Sequence, residues 1–365
     1  MHILHLETGR HVYGGARQVL YLIKGLAGRG VAGTLVCPPD SEIVAVAGAQ
    51  GIDVVTAPMR GDIDVGFVLR FKALIRRIGP DLVHVHSRRG ADVFGGLAAR
   101  FAGVPAVLSR RIDHVDLPGL GTLKYRCYER VVVISAAIRR QLVEQGLPET
   151  KLRLVRSAVD AAACLPSWSR ERFVDEFHLL EEDVPVAVVA QFIRRKGHMH
   201  LLTALGQLRE TVSRVRVILF GAGPLAASLE KKIAQAGLAS EVEFAGYRPD
   251  LLDFLGHFEL LVHPAVREGL GVSLLEAQAA GVPVIAFRAG GVPEAVADGR
   301  TGMLLPVGDS TALAAAIADL VINPVRRRYL ANAAPEWVRS EFGLERMVQG
   351  NLDVYSEILG HSAGG

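Results

Sequence analysis

Apolar residues along the chain alternate between two habits. Short, nearly continuous apolar runs bounded by glycine or polar turns read as strands. Longer stretches with apolar positions every three or four residues read as helices. In the first part of the chain the runs at 2–7, 34–37, 54–57, 82–86, 106–109, 131–134 and 152–155 predict strands. Segments 16–27, 41–50, 65–78 and 90–102 predict helices between them. The alternation lapses over 157–185, where an Ala-rich stretch with Pro166 precedes a charged helix from Arg170. It then resumes with strands at 186–190, 215–220, 242–245, 260–263 and 282–287. Helices are predicted at about 198–210, 225–236 and from Ser273 to near Gly281. Strand–helix alternation implies parallel sheets covered by helices. The fold class expected is α/β, two doubly wound domains with a boundary near residue 165: 1–165 and 166–342, followed by a helix within about 343–365.

In such sheets ligands bind at the carboxyl ends of the strands, so the residues just after each strand carry the functional information. The first strand leads to Gly14-Gly15 at the mouth of a helix, where glycines allow a ligand close to the backbone amides. The strand at 82–86 is followed by His86, Ser87, Arg88 and Arg89. The strand at 106–109 is followed by Arg110, Arg111, Asp113 and His114. Two polar clusters after two strands of one sheet indicate a cleft. In the second half Gln191 to Gly197 includes Lys196, one of only seven lysines in the chain beside 34 arginines, placed to act as a point charge on phosphate. Residues 263–296 then carry two glutamates eight apart, Glu268 and Glu276. They flank a glycine turn, Gly269-Leu270-Gly271, and a helix opening at Ser273. Ser273 and Glu276 also fit a capping box, which leaves a purely structural role for Glu276 open at this stage.

Composition narrows the picture. Hydrophobic residues are 50% and charged residues 22% of 365, enough for two packed cores. No apolar run approaches the length of a membrane span, and the chain opens on a strand-like segment without a basic-then-apolar leader; a cytoplasmic protein is expected. Cys37, Cys127 and Cys164 have no metal-ligand spacing and are expected to be reduced thiols. The formal charge of +3 hides an asymmetry: residues 1–165 carry 22 Lys/Arg against 14 Asp/Glu, the remainder 19 against 24. The basic half suggests an anionic partner or a membrane surface. Nucleic acid is not expected, since few aromatics sit among the arginines.

Other motifs are set aside. Gly28-Arg29-Gly30-Val31-Ala32-Gly33 matches a dinucleotide fingerprint in letters but follows a helix instead of a strand. Asp62 and Asp64 lack a third ligand. His84 and His86 are read as pointing to opposite strand faces, so that they cannot share a metal. Gly221-Ala222-Gly223 does lie between strand and helix. It keeps a nicotinamide-dependent oxidoreductase open as an alternative, with Glu241 or Glu243 on the ribose.

Taken together, these residues resemble the retaining glycosyltransferases of family 4. The resemblance covers nearly the whole chain and is strongest from Val186 to Pro306. Its specific element is the family's E-x7-E motif, matched by Glu268 and Glu276. Ala280-Gly281-Val282-Pro283-Val284, Gly290-Gly291, Glu294, Asp298-Gly299, Thr301-Gly302 and Phe220-Gly221-Ala222-Gly223-Pro224 extend it. The resemblance implies a GT-B fold, two Rossmann-like domains facing across a cleft, with the C-terminal helix crossing back to the acceptor-binding first domain. It implies that Glu268 bonds the donor sugar, Glu276 the ribose, and Lys196 the diphosphate. The backbone of Gly269, Leu270, Gly271, Val272 and Ser273 would meet sugar and phosphates, and Tyr247-Arg248 the base. Gly14 and Gly15 would approach the phosphates, and Gly223 belongs to the donor loop. Three positions depart from the family pattern. Gln191 replaces an arginine, with Arg194 or Arg195 able to compensate. Arg111 replaces a frequent histidine and is expected to serve the sugar or an anionic acceptor. Ser157-Ala158-Val159-Asp160 replaces Asn-Gly-Val-Asp.

The reaction so implied moves a hexose-type sugar from a nucleotide-sugar, a UDP-sugar first and a GDP-sugar next, with retention. The acceptor would be a hydroxyl of an anionic envelope glycan or glycolipid such as a lipopolysaccharide core. Lys196, Glu268 and Arg111 are the expected catalytic residues, and His86, Arg88 and His114 the acceptor contacts. No metal and no resident cofactor are expected. A peripheral contact with the cytoplasmic membrane face is. A binding protein that has lost catalysis is the remaining alternative, suggested by Gln191 and Arg111.

Overall fold

The computed structural model describes residues 1–360 apart from 89, 117–119, 210 and 213. It divides into two compact units: residues 1–158 with the chain from Leu344 onward, and Val159–Gly343. The division falls seven residues before the expected boundary. Residues 159–168 already belong to the second unit: Ser167 and Trp168 donate their backbone N–H groups to the Asp253 carbonyl at 2.8 and 3.0 Å, and Pro166 packs on Gly256.

The first unit holds a seven-stranded parallel sheet: β1 (His2–Leu6), β2 (Ala32–Cys37), β3 (Asp53–Thr56), β4 (Leu82–Val85), β5 (Ala106–Arg110), β6 (Arg130–Val133) and β7 (Leu152–Leu154). Their order is β3-β2-β1-β4-β5-β6-β7. The second unit holds β8 (Val184–Val189), β9 (Val215–Phe220), β10 (Val242–Gly246), β11 (Leu260–His263), β12 (Val284–Phe287) and β13 (Gly302–Leu305). Their order is β10-β9-β8-β11-β12-β13. Each sheet therefore reverses direction beside its own first strand, between β1 and β4 and between β8 and β11. Those are the switch points at which doubly wound sheets bind ligands. Strands β4 and β11 are buried along their whole length because helices cover both faces. The strand β13 and the helices Ser310–Ile322 and Pro324–Phe342 went unread in the sequence; β13 has four residues and follows directly on a turn, which leaves little periodicity to detect.

The helix Leu344–Leu359 packs on the first unit. Its Met347, Val348, Val354 and Tyr355 share a core with Ile3, Leu22, Leu26 and Val107. A Cβ on Gly25 would come within 2.3 Å of Val348, so this contact requires glycine. Glu357 is clasped by Arg130 on β6 and Arg153 on β7 at 2.7 and 2.5 Å, which holds its carboxyl at about 2.

Two local expectations are corrected. The first helix runs Gly14–Ala27, so Gly14 and Gly15 are its first residues and not a loop before it. His84 and His86 lie on the same face, not opposite ones. Residues two apart on a strand share a face, and their ring centroids are 3.8 Å apart. No helix among the described residues is long and apolar enough to cross a membrane.

Candidate functional site

In the second unit the chain leaves β8 and makes a short turn, Arg194–Lys196. The turn is closed by Gly197, whose φ is +71° and whose Cβ would fall 1.8 Å from the Pro264 carbonyl oxygen. That close approach sets the β8 loop against the β11 loop. It brings Lys196 into an ion pair with Glu268 although 72 residues separate them. His263, the last residue of β11, reaches the same carboxylate oxygen: its Nε2 lies 2.9 Å from Glu268 Oε2. The other oxygen, Oε1, accepts the Gly269 N–H at 3.0 Å. The Lys196 and Glu268 side chains are each 12% exposed and that of His263 1%. Burial pushes the Glu268 carboxyl up, but Lys196 and His263 outweigh it and hold the group well below the usual carboxylate range. Burial lowers His263, against the pull of Glu268.

The backbone of Glu268 is equally fixed. Its carbonyl accepts the Gly291 N–H at 3.0 Å, and a Cβ on Gly290 (φ +53°) would lie 2.1 Å from that oxygen. The glycine pair thus lets the β12 loop close on the glutamate. Three residues after Glu268, Gly271 (φ +94°) is the N-cap of the helix Val272–Ala279, without a side-chain cap. The capping-box reading is therefore corrected: Ser273 is the second helical residue, not the cap. The first N–H groups of this helix have no intrahelical acceptor and form a site for negative charge. Glu276, 9% exposed, stands one turn further in.

Other donor-site candidates separate. Arg195 lies beside the pair, with its guanidinium on the Arg267 carbonyl at 3.3 Å, and Gln191 is exposed in the same loop. Gly221 and Gly223 serve packing: a Cβ on either would lie 2.1 Å from Ala190 O or 2.6 Å from Phe192 O. Those glycines are filled by their own chain, so they offer no dinucleotide cradle. Arg248 is bound by Asp250 at 2.8 Å and Glu176 at 2.5 Å, which leaves only its backbone for a ligand. Tyr247 beside it is 43% exposed.

The first unit gathers its polar residues at the ends of β1, β4 and β5. Arg111 donates from Nη2 to His86 Nδ1 at 3.2 Å. A guanidinium only donates, so His86 carries its proton on Nε2 and gives it to His5 Nδ1 at 3.0 Å. His5 Nε2 has no partner. His84 is held by the Tyr355 hydroxyl at 2.5 Å and Ser109 Oγ at 2.8 Å. Burial keeps all three imidazoles neutral: His5 falls to about 3, and His84 and His86 well below their usual value. Burial also lowers Arg111, to about 10, against the field of Glu7, so it stays charged at neutral pH. His86 is 5% exposed; it supports Arg111 and is not open to an acceptor. His5, His84 and His86 place nitrogens within 4.8 Å of one another, a spacing that would admit a cation. The His5 Nδ1 lone pair and both nitrogens of His84 and of His86 are already engaged, which leaves only His5 Nε2 without a partner, and a cation would sit against the guanidinium. Glu7 ties the β1 loop to the β4 loop by accepting the Ser87 hydroxyl. Arg88 is half-buried and His114 exposed, while Arg89 lies outside the described residues. A Cβ on Gly14 or Gly15 would meet nothing within 4 Å, so the chain's own packing does not require glycine there.

Beneath Arg111 the β5 loop is anchored by a buried charge cluster absent from the sequence reading. Lys124 bridges Asp92 at 2.6 Å and Asp116 at 2.9 Å; Arg110 lies 3.3 Å from Asp116, and Tyr125 donates to Asp116 at 2.6 Å. His263 was also missed, although it occupies the kind of strand-end position that singled out His86.

Comparisons with known proteins agree with this layout. Residues 169–337 match the family model described as glycosyl transferases group 1, and residues 12–163 match the model of glycosyltransferase family 4. The 2-deoxystreptamine glucosyltransferase of Streptomyces kanamyceticus is 27% identical, over 79% of this chain and 80% of that protein. The lipopolysaccharide core biosynthesis glycosyltransferase LpsE of Rhizobium meliloti is 25% identical, over 98% and 99%. The fold matches that of the Anabaena protein HepE in complex with UDP and glucose, with TM-score 0.86 and 21% identity over 98% of this chain and 100% of that one. These matches and the filled glycine loop exclude the oxidoreductase alternative. With two matched models running from residue 12 to residue 337 and two Rossmann-like sheets of the GT-B kind, the chain belongs to glycosyltransferase family 4 and is a glycosyltransferase.

Proposed function

We propose that the protein transfers a hexose-type sugar, with retention and without a metal, from a nucleotide-sugar to a hydroxyl of an anionic envelope glycan or glycolipid. A UDP-sugar is the favoured donor and a GDP-sugar the next. The observation that carries this reading is the buried Lys196–Glu268 pair at the uncapped start of the helix Val272–Ala279. A departing nucleoside diphosphate is the charge to be stabilised. Lys196 and the helix amides supply that stabilisation from fixed positions, each charge-assisted bond contributing roughly 1.5–3 kcal/mol. Glu268 then addresses the sugar hydroxyls and Glu276 the ribose. UDP and glucose in the HepE structure, and the core-polysaccharide role in the name of LpsE, favour this donor and acceptor class.

In the first unit Arg111 supplies a desolvated cation for an anionic acceptor. Ile63, Val65 and Leu69 are 85%, 66% and 70% exposed within seven residues of chain, and Arg60, Arg76 and Arg77 are exposed nearby. Exposed apolar side chains with exposed arginines close in sequence suit the surface of an anionic bilayer, where a lipid-linked acceptor would reside.

Thermal-shift screening of the full chain against UDP-, GDP- and ADP-sugars in excess chelator tests the reading. Stabilisation by a UDP-sugar, abolished in Lys196→Ala, is the expected result, followed by transfer giving a product of unchanged anomeric configuration. Stabilisation by none of the three, or only when a divalent metal is restored, refutes it.

A further inference from the structure

His263 has no part in the reaction as read so far, yet its surroundings single it out. It donates from Nε2 to the carboxylate oxygen that Lys196 also holds. An ionised carboxylate only accepts, so neutral His263 must carry its proton on Nε2. Its Nδ1 is then a bare lone pair, buried and without a donor. The charged and titratable groups recorded against it are Glu268 on the β11 loop, Lys196 and Arg195 on the β8 turn, and His198 at the start of the helix His198–Leu208. Both ring nitrogens of His198 also lack a partner. In the free protein one cation and one anion, Lys196 and Glu268, balance each other at contact distance. A neutral histidine beside them completes the set.

On the donor-site reading above, this balance changes when a nucleotide-sugar binds. Lys196 has a single ammonium, and a diphosphate with two negative charges competes for it with Glu268. Each step toward the phosphate removes positive charge from Glu268 and, in the same movement, from the neighbourhood of His263. We propose that donor binding draws Lys196 from Glu268 onto the diphosphate, and that His263 takes a proton from solvent on Nδ1 to replace it as the cationic partner of Glu268. His263 is thus a positioning residue: it keeps Glu268 ionised and in place for the sugar while Lys196 serves the leaving group. The proton balance is simple. One proton leaves the buffer, no bond of the donor changes, and the imidazolium keeps its Nε2–H on Glu268.

The linkage has a definite sign. The group gains proton affinity in the complex, so its contribution to binding is full below its value in the free protein. That contribution is lost as pH rises through its value in the complex. Donor affinity should fall about two- to tenfold across the neutral range as pH increases.

Isothermal titration of the full chain tests this, with UDP-glucose, GDP-mannose and ADP-glucose as probes; their diphosphates carry no proton that titrates near neutrality. Each is titrated at one pH in buffers of different ionisation enthalpy. Uptake of about 0.3–1 proton per bound nucleotide-sugar is expected. In His263→Gln, where the amide still donates to Glu268 but cannot be protonated, binding should weaken by up to about tenfold and the uptake should vanish. Binding by the unaltered protein with no buffer dependence overturns the proposal, as does uptake that persists in His263→Gln. Binding of none of the three probes refutes the donor-site reading itself. The two failures are thereby distinguished.

Discussion

The ion pair between Lys196 and Glu268 makes a demand on stability that can be measured apart from any reaction. Its two side chains are each 12% exposed, so the pair lies much nearer the buried than the surface regime. Breaking a fully buried pair costs about 3–5 kcal/mol, because the charge left behind is desolvated and uncompensated. With residual exposure, and with His263 and Gly269 still bonded to the carboxylate, Lys196→Met should cost about 3 kcal/mol and Glu268→Gln about 2–3 kcal/mol. Removing both leaves no orphaned charge, so the double variant should recover about 2 kcal/mol relative to additivity; an exposed pair would give at most about 1 kcal/mol. The assay is favoured by the sequence: both tryptophans, Trp168 and Trp337, lie in the second unit, so intrinsic fluorescence during urea denaturation reports the unit that holds the pair. The pH dependence has a fixed sign. Glu268 is held below its ordinary 4.5 in the folded chain, so its stabilisation is present above about pH 4.5 and lost as pH falls toward the folded value. A coupling below about 0.5 kcal/mol at neutral pH, or one that grows on acidification, would show that the pair is not buried and paired as described.

Three further outcomes follow from particular contacts. Gly290→Ala places a methyl 2.1 Å from the Glu268 carbonyl oxygen at a φ of +53°; it should destabilise the second unit by about 2–4 kcal/mol and abolish donor stabilisation in thermal shift, whereas an unchanged melting profile would contradict the geometry. Arg111→Gln should reduce transfer to an anionic acceptor by about tenfold or more while leaving nucleotide-sugar affinity unchanged in titration; equal loss of both would move Arg111 out of the acceptor role. The Ile63→Ser/Leu69→Ser double variant should bind anionic phosphatidylglycerol vesicles severalfold more weakly in co-sedimentation without a change in melting temperature, since neither side chain is buried; undiminished binding would remove this face from the membrane contact.

The parts of the molecule that were legible in the sequence are those governed by local pattern. The alternation of strands and helices is visible because central parallel strands are apolar throughout and their covering helices are amphipathic. The stretch around Glu268 and Glu276 stands out because a strand, a glycine turn and a helix start succeed one another without interruption. What escaped depends on which side chains satisfy one another across long separations. Nothing near Arg248 in the chain announces that Glu176 as well as Asp250 will occupy its guanidinium. His86 looks like a ligand-facing residue until His5 and Arg111 are seen to consume both its nitrogens. Gly221 and Gly223 invite a nucleotide reading, but the residues that crowd them, Ala190 and Phe192, come from another strand end. The misplaced boundary has a similar origin: residues 159–168 lack periodicity and owe their allegiance to backbone bonds with Asp253. His84 and His86 share a face, contrary to expectation, because side chains two apart on a strand point the same way.

The helix Leu344–Leu359 has a consequence for how the protein comes into being. The second unit is one uninterrupted segment, Val159–Gly343, whereas the first is assembled from both sides of it. During synthesis the seven strands of the first sheet emerge early, but the surface bearing Ile3, Leu22 and Val107 stays uncovered until the helix Leu344–Leu359 has left the ribosome. His84 likewise waits for Tyr355. The unit translated second can therefore finish folding first. A chain interrupted just after Gly343 would carry a finished second unit and an open apolar face on the first, the kind of exposed surface by which quality-control factors recognise an incomplete product.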